Sequence, residues 1–476
     1  MADGLTRRCS YDNSFEYVDF TDASGFSNQS RIGRLISEEI SSNSRSQPLT
    51  RKDFNNFFDT DGRLVDEHLL RKTIFKGGVD PEVRPDVWRF LYGLYPLTST
   101  KRERQLLLAE SYLKYEALKQ RWKSILAQSG DPEAESLIHA RWSESEGGGS
   151  NDVVQRVSPV SALAQTSEGK QQLEFMKIQA EVYAGRQEYD LNDLKGSIRV
   201  IDKDVPRTDK ELDYFKGENN PMMFVLRDIL VTFAAFHPKV GYAQGMNDIL
   251  SRMMIVLDSE VEAFWCFTWY IEEIQLDFIA EGMVRKLSLL RQLLEKLDPD
   301  LYNYLGICGV DDLTFCHRWL ILGFKREFGF EDGVKLFEIL SSHYLELHSL
   351  EAETQKRLQR RKNFEQEGGH LRSVDDVSDQ EYTFDLFVAV SIMMDHRDKM
   401  FRCTDAATVF QCIARLSMNI DVNDILCKSE AVFLSYCRKS VHDCFQVIER
   451  PSSAKEVLKR GMVVEMQVMG KSTKTS

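Results

Sequence analysis

Several things are missing from this chain. Its longest apolar run, "LFVAVSIMM" at 386–394, is far short of the roughly 20 residues that a helix needs to cross a bilayer. The amino terminus, "MADGLTRRCS", lacks the apolar stretch of a secretory signal. The nine cysteines run from Cys9 to Cys444, are odd in number and form no CxxC pair, which fits reduced thiols in a cytosolic protein. Positive charge is also in deficit, with 61 Lys and Arg against 74 Asp and Glu and a net charge of −13. That disfavours a phosphate-neutralising nucleic-acid binder and a polybasic membrane clamp. The expectation is a cytoplasmic protein without direct membrane insertion, which reaches endomembranes through partners.

The usual catalytic signatures are missing too. "VMGKST" at 468–473 resembles the end of a phosphate-binding loop, but that pattern needs glycine at 465, where Glu465 would repel phosphate. "DTDGR" at 59–63 is a turn, because the twelfth position of a calcium loop would fall on His68 instead of a carboxylate. There is no HExxH zinc pair, no GxSxG elbow and no kinase signature. No cofactor or metal is expected in this chain.

What is present is core material. Hydrophobic residues make up 42% and aromatics 11%, and the apolar positions recur almost everywhere with a period of 3.6. The fold class expected is all-α, in one large multi-helical domain over 51–450. A flexible arm at 1–50, a flexible tail at 451–476 and polar insertions at 127–171 and 351–380 surround and interrupt it. Ser99 or Thr100 caps a long helix, and Gly77 with Gly78 stops an earlier one.

Two stretches stand apart. In "IDKDVPRT", residues 201–208, Pro206 stiffens the backbone and biases Val205 toward extended geometry, so Arg207 projects from a constrained loop. Thr208 and Glu211 form a capping-box pattern that predicts a short helix over 209–216, stopped by Gly217. Arg207 alone could simply pair with Asp204 or another carboxylate. In "GYAQGMNDIL", residues 241–250, Gln244 precedes a core helix whose face is Met246, Ile249, Leu250, Met253, Met254 and Leu257. The unpaired amides at such a doorway favour an anion nearby. Gln244 alone could equally cap its own helix.

Together these stretches match the IxxDxxR and YxQGM motifs of the TBC-domain family of Rab GTPase-activating proteins, which the chain resembles. "RPDVWRFLYG", "AFWCF", "DDLTFCHRWLILGFKREF" and "DILCKSEA" look like further segments of that domain, so the resemblance covers roughly 74–430. It implies two helical subdomains. It also implies an activator of a GTP-bound Rab in vesicle trafficking that contributes Arg207 as an arginine finger and Gln244 as a glutamine finger in trans. Asp204, Tyr242 and Gly245 would support them, and the GTP and Mg²⁺ would belong to the Rab. The alternative is a catalytically silent Rab-binding scaffold or adaptor. The chain departs from the family pattern at Arg252, where proline is frequent, and at Phe337, where an indole is common.

Overall fold

In the computed structural model the described residues are 45–140, 160, 161, 165, 167–345 and 382–449, with side chains described up to 436. Most of the expected arm, part of the expected insertion at 127–171, the whole of that at 351–380, the expected tail and the "VMGKST" stretch lie outside them. The described residues are helical, with only two isolated β-bridges, Leu49 with Val79 and Phe58 with Leu64. The class is all-α.

The longer helices are α1 (Glu67–Gly77), α2 (Arg84–Leu91), α3 (Lys101–Ala127), α4 (Ser167–Arg186), α5 (Leu191–Asp204), α6 (Pro221–Phe236), α7 (Met246–Leu257), α8 (Glu260–Ile274), α9 (Ala280–Leu297), α10 (Pro299–Ile307), α11 (Phe330–Leu340), α12 (Phe384–Asp395), α13 (Ala406–Leu416) and α14 (Val422–Glu449). Their ends follow local chemistry. Thr100 accepts from Glu103 N–H while the Glu103 carboxylate takes Thr100 N–H, so of the two expected caps Thr100 closes α3, with a capping box. After Gly77, Gly78 leaves the helix at φ 75°, a conformation cheap only for glycine.

Two large interiors organise these helices, beside a smaller one that α1 and α2 form with Leu49 and Phe54. The first is built from α2, α3 and α5–α8, with α6 nearly buried all round. The second is built from α9, α10 and α12–α14. Helix α11 serves both. Its Val334 and Phe337 enter the first interior, and its Leu336 and Ile339 enter the second. All six predicted face residues of α7 are buried. A fully buried leucine or isoleucine is worth about 1.5–3 kcal/mol, so Leu250→Ala would leave a cavity costing about 2–5 kcal/mol.

Three expectations need correction. The region from 127 is not loose at its start: a short helix spans Pro132–Ser136, and Ala134 and Leu137 enter the first interior. The reason is distant in sequence, because the buried Arg227 guanidinium on α6 is paired with Asp202 and donates to the Leu137 carbonyl at 2.8 Å. Packed structure then resumes by Ser167, within the segment expected to be an insertion. The arm likewise ends before residue 50. Arg45 pairs with Glu430 and stands over the Phe75 ring at 5.3 Å, and Leu49 is buried.

The third correction is the helix expected over 209–216, which is a series of turns. The Thr208 hydroxyl donates to the Asp204 carbonyl at 2.9 Å, and the Asp209 backbone turns left-handed at φ 44°. The left-handed turn at Asp209 breaks the helical geometry that a cap at Thr208 must lead into.

Candidate functional site

Helix α5 buries Leu194, Ile198 and Ile201 and is capped by the Asp190 carboxylate, which accepts from Asn192 and Asp193 N–H. Its end does not open into an extended loop. Val205 is helical at φ −55° and ψ −49°, its N–H donates to the Ile201 carbonyl, and a tight turn over Val205–Arg207 follows. The buried Val205 side chain and this hydrogen bond override the bias that Pro206 imposes. Arg207 therefore leaves the rim of a rigid helix end, with its side chain 61% exposed.

Beneath it lies the buried Asp204 carboxylate. Arg207 Nη2 donates to one oxygen, and the Tyr242 hydroxyl, across from the second loop, stands 2.8 Å from the other. A single carboxylate thus holds both motif stretches. The Tyr242 hydroxyl is also 3.0 Å from Asn247 Oδ1. Its one proton belongs on the charged acceptor, the stronger partner. Burial, reinforced by the Asp204 charge, pushes the Tyr242 pKa far above the ordinary phenol range, so the hydroxyl stays a donor.

The second loop rises from α6 and enters α7 through Gly245, whose φ of 110° places it in the left-handed region. A Cβ there would stand 3.0 Å from Leu322 Cδ2. The close approach that Gly245 permits within this chain is thus to Leu322. Gln244, directly before it, is exposed and does not cap α7, which has no side-chain cap bond. In the first turn of α7, Asp248 meets Lys325 Nζ at 3.0 Å and Arg326 Nη2 at 2.8 Å. Burial works to raise the Asp248 pKa, but these two cations outweigh it and hold the carboxyl below the usual range. Lys325 also takes Asp209 at 2.5 Å and Ser251 at 2.9 Å, tying the chain beyond Arg207 to α7.

Every predicted site residue falls in this one region. Asp204 and Tyr242 meet directly, Arg207 joins them through Asp204, and Gln244 and Gly245 border the same buried network. Sequence reasoning missed Asn247, Lys325 and the part played by Thr208. A signal existed for Asn247. It is a polar residue inside the unbroken buried stretch 245–254, and such a group needs partners. Chemically, the exposed groups are a guanidinium, which can donate to two oxyanion oxygens at once, and a primary amide, which donates and accepts. Such a pair suits charge stabilisation and positioning better than proton transfer.

Known proteins are similar to this chain in sequence and in fold. The family model described as Rab-GTPase-TBC domain matches residues 157–350, a span that includes both loops. TBC1 domain family member 25 of Mus musculus is 32% identical over 295 residues, which are 61% of this chain and 31% of that protein. TBC1 domain family member 17 of Mus musculus is 27% identical over 419 residues, 86% of this chain and 50% of that one. The chain thus spans half or less of the length of these curated relatives. Among solved structures, that of the Ypt/Rab-GAP domain of Gyp1p aligns with a TM-score of 0.50 and 17% identity, covering 84% of this chain and 98% of that one. At that identity the likeness speaks to fold alone. The chain thus carries a segment, residues 157–350, that matches the Rab-GTPase-TBC domain, and its sequence is similar to proteins of the TBC1 domain family.

Proposed function

We infer that this chain accelerates GTP hydrolysis by a Rab-family small GTPase, supplying Arg207 and Gln244 to a nucleotide held by that partner. The observation that carries the reading is the pairing of two exposed side chains, a guanidinium and an amide, on loops joined beneath by the Asp204–Tyr242 hydrogen bond. Phosphoryl transfer needs little covalent help from protein, so neutralising charge at the γ-phosphate and placing the attacking water dominate the barrier. Arg207 suits the first task because its planar fork is always charged. Gln244 suits the second because it can touch water and phosphate together. Asp204 and Tyr242 brace the arginine, and Gly245 gives the glutamine loop its turn. The nucleotide and its Mg²⁺ belong to the Rab in this reading, and membranes are met through that partner.

Support comes from the family match over 157–350 and from relatives such as the GTPase-activating protein GYP7 of Yarrowia lipolytica, 27% identical over 421 residues. The test is hydrolysis by a panel of GTP-loaded Rabs with the wild-type chain, Arg207→Ala and Gln244→Ala. Acceleration of at least one Rab, lost in both variants, is the expected result. Acceleration that persists undiminished in both, or none by the wild type, overturns the reading.

A further inference from the structure

Between the two loops lies a side chain whose part the motifs do not describe. Asn247 is the second residue of α7 and is 6% exposed. Its Nδ2 donates to the Thr208 hydroxyl at 2.9 Å, and its Oδ1 accepts from the Gly245 N–H at 3.2 Å. Thr208 directly follows Arg207, and its own proton goes to the Asp204 carbonyl. Gly245 directly follows Gln244. One amide therefore spans from the chain beside one exposed side chain to the chain beside the other, with its donor end and its acceptor end both engaged. Aspartate of the same shape lacks the donor, and leucine lacks both ends.

We propose that Asn247 is a positioning residue that sets the spacing of Arg207 and Gln244 and, through it, the rate of hydrolysis on the partner. The proposal rests on the Rab-directed reading. Asn247 is buried beneath the loops, so its loss leaves the exposed face chemically unchanged while freeing the two loops to drift. Misplacing reacting groups by about 1 Å can cost on the order of 100-fold in rate. The effect belongs in kcat, not in KM.

The test uses the full chain with Asn247→Ala, Asn247→Asp, Thr208→Val and Thr208→Ser, and combines two measurements. The first is hydrogen exchange at the Gly245 amide. The second is steady-state hydrolysis on the Rab that the wild type accelerates most. Asn247→Ala is expected to speed Gly245 exchange and to lower kcat about 10- to 100-fold with KM unchanged. Thr208→Val is expected to lower kcat in the same way, and the double variant with Asn247→Ala to lose no more than the worse single one, because both break one bridge. Thr208→Ser keeps the hydroxyl and is expected to stay near wild type, and Asn247→Asp, which keeps only the acceptor end, to fall between.

Wild-type kcat in folded Asn247→Ala, unchanged Gly245 exchange, or losses that multiply in the double variant would overturn the proposal. If Asn247→Ala does not fold, the contrast between Thr208→Val and Thr208→Ser decides it. A wild-type chain that accelerates no Rab overturns the functional reading and the rate claim together. Faster Gly245 exchange in Asn247→Ala would then still uphold the bridge itself.

Discussion

The guanidinium carbon of Arg252 stands 4.1 Å from the centroid of the Phe337 ring. Both side chains are fully buried, and Arg252 Nη2 donates to the Leu322 carbonyl at 2.9 Å. Read from sequence, these two positions are departures from the pattern of the family that the chain resembles, and in the fold the two side chains touch. A cation on an aromatic face gains about 2 kcal/mol when desolvated. The same burial lowers the Arg252 pKa against the pull of Tyr270 and Tyr92.

The pair predicts an asymmetry in stability. Phe337→Ala removes a ring from the first interior and is expected to cost about 3–5 kcal/mol. Arg252→Met replaces a buried charge with apolar volume and is expected to be neutral or stabilising. Urea unfolding midpoints of the two variants check this. A large loss in Arg252→Met would show that the stacked cation outweighs its desolvation.

At the surface, the proposed activity predicts a loss without unfolding. Arg207→Ala should reduce acceleration of the responsive Rab by about 10³-fold or more. Arg207→Lys should not restore it, because an ammonium cannot reproduce the planar fork. Both variants should stay folded at the assay temperature, with a modest loss of stability in Arg207→Ala because the buried Asp204 carboxylate loses one partner and keeps the Tyr242 hydroxyl.

The phenol beneath it behaves differently. Tyr242→Phe leaves the buried Asp204 carboxylate without its 2.8 Å donor. A hydrogen bond to a charged group is worth about 1.5–3 kcal/mol, and a destabilisation of that size is expected in urea unfolding. A loss near zero would mean that Asp204 finds another donor.

One buried acid gives a pH dependence. Burial pushes the Glu338 carboxyl up to about 7 from its ordinary 4.5, against the opposing pull of Arg84, the Trp88 indole N–H and the Val79 N–H. Between those two values the folded chain holds a proton that the unfolded chain has released. Glu338 therefore makes stability rise as pH falls from about 7 toward 4.5 and lost again as pH climbs back through 7, by at most about 1.4 kcal/mol per pH unit. Glu338→Gln cannot titrate. The difference between its unfolding free energy and that of wild type, followed from pH 5 to 8, should carry this slope, and a flat difference would place the carboxyl at its ordinary value.

How far the sequence carried the reading depends on the range of the forces involved. The α7 face and the cap of α3 at Ser99 or Thr100 depend on residues within a few positions of each other; the face appears as read, and the cap falls on Thr100. Thr208 and Glu211 present the same local pattern, yet no helix forms. There the decisive partners are distant: Asn247 holds the Thr208 hydroxyl, and Lys325 holds Asp209. The packed start of the region from 127 fails to show in sequence for the same reason, since Arg227 reaches it from α6. Arg207, Gln244, Asp204 and Tyr242 were legible through a resemblance between motifs. The meeting of Arg207 and Tyr242 around the Asp204 carboxylate follows from tertiary packing, which periodicity does not encode.

Helix α11 lends consecutive side chains to different interiors, Leu336 to one and Phe337 to the other. Neither half can melt while the other keeps this helix intact, so the two halves should denature in one step despite a size at which separate transitions are common. Natural variation at 336 and 337 is then constrained from both sides. A substitution tolerated by one half must also spare the other, and damage far from the Arg207 loop can reach it through this shared segment.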